Sequence, residues 1–111
     1  MPDKSLIMYS RTIPCPACAR ARALLQSLAV PYQEVMIDLD PAARGVVENL
    51  TGFVSVPTLV VTRPGEALPF PAPRPLEAGR SPRGVDRGTV ISEPDMVSLE
   101  KWLHGHGFVV G

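Results

Sequence analysis

Residues 5–28 read SLIMYSRTIPCPACARARALLQSL, and this stretch decides the fold. Ser5–Ser10 is a short apolar run with a tyrosine, which is typical of a buried strand. A loop follows over Arg11–Pro14. From Pro16 onward apolar residues recur at helical spacing, and Pro31 ends the predicted helix. The sequence therefore predicts a strand that leads through a short loop into a helix, with a pair of cysteines where the helix begins.

The rest of the chain continues this alternation. The later predicted elements are a strand over Tyr32–Asp38, a helix entered at Asp40-Pro41 and stopped at Gly52, a strand over Thr58–Thr62, a short strand over Thr89–Ile91, and a helix with Ser92 as N-cap that ends at Gly105. A strand–helix–strand unit makes a right-handed crossover between parallel strands. The order β-α-β-α-β-β-α thus predicts an α/β fold, in which helices cover both faces of a four-stranded mixed sheet. The last two strands are expected to pair antiparallel.

The segment from Arg63 to Gly88 differs from its surroundings in composition. It is dense in proline, glycine and arginine and has no apolar periodicity, so we interpret residues 63–88 as a loop-like insertion in one domain spanning 1–111. Such a segment buries too little surface to offset the entropy of ordering it. We predict that it is the least ordered part of the chain, and that proteases cut it first, after Arg74, Arg80, Arg83 or Arg87.

Size and charge narrow the function classes. The chain has 111 residues, which is the size of one domain. Its formal net charge is zero and its pI is near 6.7, so it carries no net positive charge that would attract nucleic acid or an anionic membrane. No apolar run approaches the roughly 18–20 residues of a spanning helix. The polar N-terminus does not resemble a secretory leader, and we expect a cytoplasmic protein.

The two cysteines of the chain are Cys15 and Cys18. A bridge between them closes almost no loop and adds little stability, so their spacing indicates catalysis or metal binding. At a helix start, free N–H groups and the helix dipole favour a thiolate, which lowers the thiol pKa. Cys15 would lie at the exposed end and attack a disulfide, whereas Cys18, one turn in, would resolve the intermediate. Zinc needs two further ligands, and His104 and His106 are spaced too tightly, so we predict no metal site.

Three short motifs now resemble those of glutaredoxins. They are Cys15-Pro16-Ala17-Cys18 after the first strand, Ser55-Val56-Pro57-Thr58 before the third, and Pro94-Asp95 after the last. The segment Asp38-Leu39-Asp40-Pro41-Ala42-Ala43, followed by Val56-Pro57-Thr58, is also similar to mycoredoxins and NrdH-type redoxins. The resemblance covers roughly residues 5–62 and 89–104. It implies a thioredoxin-like fold and a dithiol–disulfide oxidoreductase, with Cys15 as the attacking and Cys18 as the resolving thiol.

The resemblance also implies a binding surface around the dithiol. Pro57 matches the family's cis-proline, and the backbone of Val56 would pair with a substrate backbone like an added strand. Arg11, Thr58 and Asp95 complete the expected substrate-binding residues. The implied partners are disulfide-containing proteins, small-thiol mixed disulfides and a thioredoxin-reductase-type enzyme. The implied reductant is glutathione or another low-molecular-weight thiol, with no tightly bound cofactor. We expect a monomer that acts in electron transport and cell redox homeostasis.

Two other functions stay open as alternatives. One is an iron–sulfur or metal carrier on the same fold, which colour in the purified protein would reveal. The other is a redox-dependent interaction module that uses the insertion, since proline-rich segments bind aromatic-lined grooves.

Overall fold

A four-stranded mixed sheet forms the centre of the computed structural model, which describes residues 4–77 and 79–109. The strands are β1 Ser5–Ser10, β2 Gln33–Met36, β3 Thr58–Thr62 and β4 Val90–Ser92; the helices are α1 Pro16–Ser27, α2 Pro41–Thr51 and α3 Met96–Gly105. The strand order is β2-β1-β3-β4. β1 and β2 are parallel, whereas β3 is antiparallel to both β1 and β4. The predicted element order and strand directions are confirmed.

The register of the strands brings four chain segments to one end of the sheet. Ser10 pairs with Met36, and Thr58 is opposite both Tyr9 and Ser92. The carboxyl ends of β1, β2 and β4 and the amino end of β3 therefore lie together. We term this end the dithiol end, because Cys15 follows β1 there.

Alternating strand residues build a core on each face of the sheet. Met8 packs with Leu25 of α1 and Leu103 of α3 on one face. Ile7 packs with Val47 of α2 on the other face. Helices thus cover both faces as predicted, and the architecture is thioredoxin-like.

Helix α2 begins and ends where the sequence predicts. Asp40 is its N-cap and accepts a hydrogen bond from the Ala43 N–H at 3.1 Å, and Pro41 follows in the first turn. Gly52 caps the other end with a left-handed φ of 78°, a conformation that glycine adopts without steric cost.

The predicted cap of the last helix is wrong. Ser92 ends β4, where its hydroxyl lies 2.7 Å from the Thr58 hydroxyl and is used inside the sheet. Asp95 is the N-cap of α3, and its carboxylate accepts the Ser98 N–H at 2.8 Å. Ser92 and Asp95 are both good capping residues, but Ser92 pairs with Thr58 of β3 as part of the sheet, so Asp95 caps the helix.

Three other boundaries shift slightly. β4 covers residues 90–92 rather than 89–91, and β2 is shorter than predicted because the chain turns after Met36 to enter α2. α1 ends at Ser27, well before Pro31, because Leu28 is the C-cap and Ala29 takes a left-handed φ of 55°. Within the described residues, no helix is long and apolar enough to cross a membrane.

The insertion forms no helix or strand in its described residues 63–77 and 79–88, as predicted for a loop. Its later part nevertheless runs beside the outer edge of β4. The Gly84 N–H donates to the Ser92 carbonyl at 2.7 Å, and the Arg87 N–H donates to the Val90 carbonyl at 3.0 Å. The predicted low order of this segment stays a prediction.

Arg87 fastens the insertion to the body of the domain. The residue is buried, and its guanidinium donates to the Leu50 carbonyl in the last turn of α2 and to the Arg74 carbonyl at 2.7 Å. Desolvation lowers the pKa of this guanidinium. Because Arg87 is bonded and inaccessible, we withdraw it as an early cleavage site. Arg74 is withdrawn as well, since Pro75 follows it and trypsin does not readily cut before proline, which leaves Arg80 and Arg83.

A half-buried carboxylate also joins β2 to α1. Glu34 accepts hydrogen bonds from Arg22 Nε at 3.0 Å and from the Ser10 hydroxyl at 2.6 Å. The bond from Arg22 is the main cause that lowers the Glu34 pKa below its usual 4.5. The Glu34 pKa is lower in the folded protein than in the unfolded chain, so the ionised carboxylate stabilises the fold at pH values above the unfolded-chain pKa. This stabilisation is lost as the pH falls through the pKa of the folded protein.

Glu34→Gln is expected to lower the free energy of unfolding at pH 7 by about 0.5–1 kcal/mol, a figure reduced for solvent screening of the pair. The variant should also lose less stability than the unaltered protein as pH falls below about 4.5. Urea unfolding at pH 7, 4.5 and 3.5 measures both effects. Glu48→Gln is the control, because the Arg44–Glu48 pair lies at the surface. Equal acid sensitivity of Glu34→Gln and the unaltered protein would contradict this role.

Candidate active site

The two cysteines lie at the start of α1, at the dithiol end. Cys15 is the N-cap with extended backbone (φ −140°), and Cys18 lies inside the first turn. Their Cα atoms are 5.2 Å apart, and the two residues form a disulfide. Cys15 is half-buried, whereas only 1% of Cys18 is exposed. The sulfur of Cys15 is therefore the one that a partner can reach.

A backbone N–H points at this sulfur. The Cys18 N–H donates to Cys15 Sγ at 3.2 Å, as expected where the first N–H groups of a helix have no partner in the preceding turn. Pro16 occupies the first turn, where its missing N–H costs nothing. In the reduced protein, the same N–H and the positive end of the helix dipole would stabilise the negative charge of a Cys15 thiolate.

The loop before Cys15 is held by Asp38. The Thr12 N–H donates to both Asp38 carboxylate oxygens at 3.1 Å, and the Thr12 hydroxyl donates to the same group. This hydroxyl bond is the main cause that lowers the Asp38 pKa. Sequence reasoning missed Asp38, although a signal existed. Ser10 and Met36 are paired in the parallel strands β1 and β2. Thr12 comes two residues after Ser10 and Asp38 two residues after Met36, so the pairing brings Thr12 and Asp38 close together.

A cavity of about 470 Å³ lies beside Cys15, and its lining includes Arg11, Ile13, Arg22 and Met36. Arg11 also donates to the Pro14 carbonyl at 3.2 Å, so its guanidinium stays near the loop. The structure thus brings predicted residue Arg11 to the dithiol. A larger cavity of about 690 Å³ lies between β1, β2, α2 and the start of the insertion, and neither cysteine lines it.

The Val56–Pro57 peptide bond is cis, as the resemblance implies. Val56 is buried in the apolar cluster that includes Cys18 and against which Cys15 packs. The Pro57 carbonyl accepts the Glu93 N–H at 2.7 Å, which ties the segment before β3 to the segment after β4.

The side chains of Thr58 and Asp95 both form hydrogen bonds within the protein. Thr58 is fully buried, and its hydroxyl donates to the Ser55 carbonyl at 2.7 Å, so it offers no surface to a substrate in this conformation. Asp95 is exposed but caps α3, and the Ser98 backbone N–H is the main cause that lowers its pKa. A substrate contact at Asp95 stays a prediction.

Glu93 lies at the site although it is not among the predicted substrate-binding residues; the resemblance aligns Ser92-Glu93 with the family's Gly-Gly pair that helps hold glutathione. Its carboxylate accepts the Ser55 hydroxyl at 2.8 Å, and Arg83 of the insertion lies 3.9 Å away. Glu93 takes a left-handed φ of 46°, which turns the chain from β4 into the start of α3. Its place directly after β4 was the available signal, since β4 ends opposite the start of β3.

Fold and dithiol together define a thioredoxin-like protein with a cysteine pair at the start of its first helix. Compared with protein-family models, residues 6–63 match the glutaredoxins, which is more than half of the 111 residues. The chain belongs to the glutaredoxin family, and its role is that of a thiol oxidoreductase. A comparison with curated proteins gave no match. The family match runs from β1 to the residue after β3, so the insertion lies almost wholly outside it.

Proposed function

We propose that the protein is a dithiol–disulfide oxidoreductase that reduces protein disulfides or mixed disulfides with a low-molecular-weight thiol. The observation that carries this proposal is the position of the Cys15 sulfur. It accepts a backbone N–H at the start of α1, and buried Cys18 lies within bonding reach in the same turn.

The proposed reaction has two exchange steps. The Cys15 thiolate attacks one sulfur of the substrate disulfide, the S–S bond breaks, and the first substrate thiol leaves with a proton from solvent. The Cys18 sulfur, once deprotonated, then attacks Cys15 Sγ, forms the Cys15–Cys18 disulfide and releases the second substrate thiol. Two electrons have passed from the dithiol to the substrate, and the protein is left in the disulfide form seen in the structure.

The surroundings of Cys15 support substrate binding on two sides. On one side, Arg11 borders the cavity and offers a cation to a carboxylate of the substrate. On the other side, Val56 and Pro57 precede β3, and the backbone of Val56 is proposed to pair with an extended substrate.

Reduced protein must be regenerated after each cycle. We propose glutathione or another low-molecular-weight thiol as the reductant, with a thioredoxin-reductase-type enzyme as the other candidate, and no tightly bound cofactor. Each supplies the two electrons that reopen the disulfide. We place this reaction in the cytoplasm, because thiols are kept reduced there. The protein would act there as a monomer, in electron transport and cell redox homeostasis.

Trapping the intermediate tests this proposal. Cys18→Ser should react with a disulfide substrate and keep half of it on Cys15, because the variant lacks the sulfur that releases the adduct. Mass spectrometry of the intact protein and its peptides should show one adduct, located at Cys15. Cys15→Ser is the matched control and should show little adduct, because Cys18 is buried. An adduct found on Cys18 in the control but absent from Cys15 would reverse the roles.

A further inference from the structure

The cavity of about 690 Å³ that neither cysteine lines is a second concave site of the protein. Ile7 and Val35, from the faces of β1 and β2 that α2 covers, line it together with Val46 of α2. Residues 65–67 at the start of the insertion also line it, and they lie outside the part of the chain that matches the glutaredoxins. The volume falls within the range of roughly 300–1,000 Å³ that is typical of small-molecule sites. We term this site the β1–β2 cavity.

Two residues in the lining of the β1–β2 cavity carry hydroxyl groups that a ligand can use. Thr62, at the end of β3, is 1% exposed, and its hydroxyl forms no hydrogen bond with any residue that the structure describes. A buried hydroxyl without a partner costs free energy, and a polar group from outside the chain would remove that cost.

The second hydroxyl belongs to Tyr9. It donates to the Ala67 carbonyl at 3.4 Å, which is long for such a bond, and its oxygen can still accept a hydrogen bond. Burial and then the negative charge of Asp40 raise the pKa of Tyr9, so the phenol is uncharged near neutral pH. The mainly apolar lining therefore offers hydrogen bonds from neutral groups.

The charged groups in the lining, those of Lys4, Asp40 and Glu66, are already matched within the protein. Lys4 Nζ donates to a carbonyl at the C-terminal end of α3 at 3.1 Å, and the Asp40 carboxylate accepts a backbone N–H at the N-terminal end of α2 at 3.1 Å. In both cases the helix dipole favours the charge. Glu66 pairs with Arg63 at 3.1 Å. A charged ligand would lose hydration here without gaining a free counter-charge, so the lining favours an uncharged one.

We propose that the β1–β2 cavity binds an uncharged, mainly apolar small molecule, such as one with two or three aromatic rings, whose polar group bonds to the Thr62 hydroxyl. Binding buries apolar area of the ligand against Ile7, Val35 and Val46 and gives the Thr62 hydroxyl its missing partner. This site is separate from the dithiol, because neither cysteine lines it, so the inference does not depend on the proposed function.

Two fluorescent probes that differ in one charged group test the ligand class. N-phenyl-1-naphthylamine is uncharged and has one N–H donor, and 8-anilino-1-naphthalenesulfonate has the same aromatic body with an added sulfonate. Fluorescence of each probe is followed as the protein is titrated into it. The uncharged probe should bind one site per chain with a Kd on the order of 10 µM, and the sulfonate should bind at least about fivefold more weakly.

Three variants locate the site. Ala42→Phe places a ring in the β1–β2 cavity from an exposed position of α2 and should weaken binding of the uncharged probe at least about tenfold. Ala23→Phe is the matched control, because Ala23 is an exposed helical alanine of α1 outside this cavity, and it should change the Kd less than about twofold. Thr62→Val keeps the shape of the side chain and should weaken binding about three- to tenfold. Its midpoint of thermal unfolding should not fall, because no hydrogen bond within the described residues is lost.

Amide chemical shifts of the labelled protein show where the uncharged probe binds. Changes should be largest at residues of the β1–β2 cavity such as Tyr9, Val35 and Val46, and changes centred on Ile13 and Cys15 would instead place the probe beside the dithiol. No saturable binding below about 50 µM, or equal affinity in Ala42→Phe and Ala23→Phe, would overturn the proposal. A concentration-dependent dimer that Ala42→Phe dissociates would also overturn it, because the cavity would then bind a second copy of this chain. If Ala42→Phe does not fold, Thr62→Val and the chemical shifts decide the outcome.

Discussion

Cys15→Ser is expected to abolish disulfide exchange, with a fall in kcat/KM on the order of a thousandfold or more. A serine hydroxyl has no accessible anionic form near neutral pH, and Cys18, the other sulfur, is buried. Turnover of a disulfide substrate under excess dithiothreitol measures the loss. In the unaltered protein, the Cys15 thiol should titrate below the roughly 8.5 of a free cysteine and should react first with an alkylating reagent.

Cys18→Ser is the matched control for that prediction. It removes one sulfur and the internal disulfide, as Cys15→Ser does, but it leaves the attacking thiol in place. It should therefore retain the first exchange step and partial turnover of small mixed disulfides, because an external thiol can release the adduct. Near-normal activity in Cys15→Ser, or a complete loss of first-step reactivity in Cys18→Ser, would overturn the assignment.

Arg87→Met should destabilise the fold by about 1.5–3 kcal/mol, because hydrogen bonds from a charged donor to two carbonyls are lost while the apolar stem is kept. The affected acceptors are the carbonyls of Leu50 and Arg74. For a chain of this size, the midpoint of thermal unfolding should fall by roughly 6–13 °C. Because the insertion then loses its attachment to α2, trypsin should cut after Arg80 and Arg83 faster than in the unaltered protein.

Arg83→Met provides the comparison for this effect. The Arg83 side chain is 77% exposed and lies 3.9 Å from Glu93, so its loss should change stability by less than about 0.5 kcal/mol. If both variants unfold at the same temperature and are cut at the same rate, Arg87 does not hold the insertion in place.

The sequence allowed most of the fold to be predicted because its signals are local. β1 and β3 are short apolar runs, and α2 has both an Asp-Pro entry and a glycine stop, so these elements lie where predicted. The cap of α3 was misassigned because Ser92 and Asp95 both suit a helix start. Only the pairing of β4 with β3 decides between them.

The cysteines and Pro57 were predictable because their motifs are contiguous in sequence. The partner of Glu93 and the role of Asp38 were not, since each acts through a residue far away in the chain, Ser55 for the first and Thr12 for the second. Arg87 was missed for a related reason. Its partners are main-chain carbonyls, and any residue type supplies those, so no sequence pattern marks them.

The course of the insertion beside β4 bears on how the protein behaves at high concentration. A sheet is extended when a strand from another molecule bonds to an unpaired edge, and long open edges are sites of aggregation. Here Gly84 and Arg87 already donate to the outer carbonyls of Ser92 and Val90. A neighbouring molecule therefore meets occupied main-chain groups on that side, and strand addition is confined to the four-residue edge of β2. A segment that lacks regular structure of its own thus occupies main-chain groups that an open sheet edge would present to another molecule.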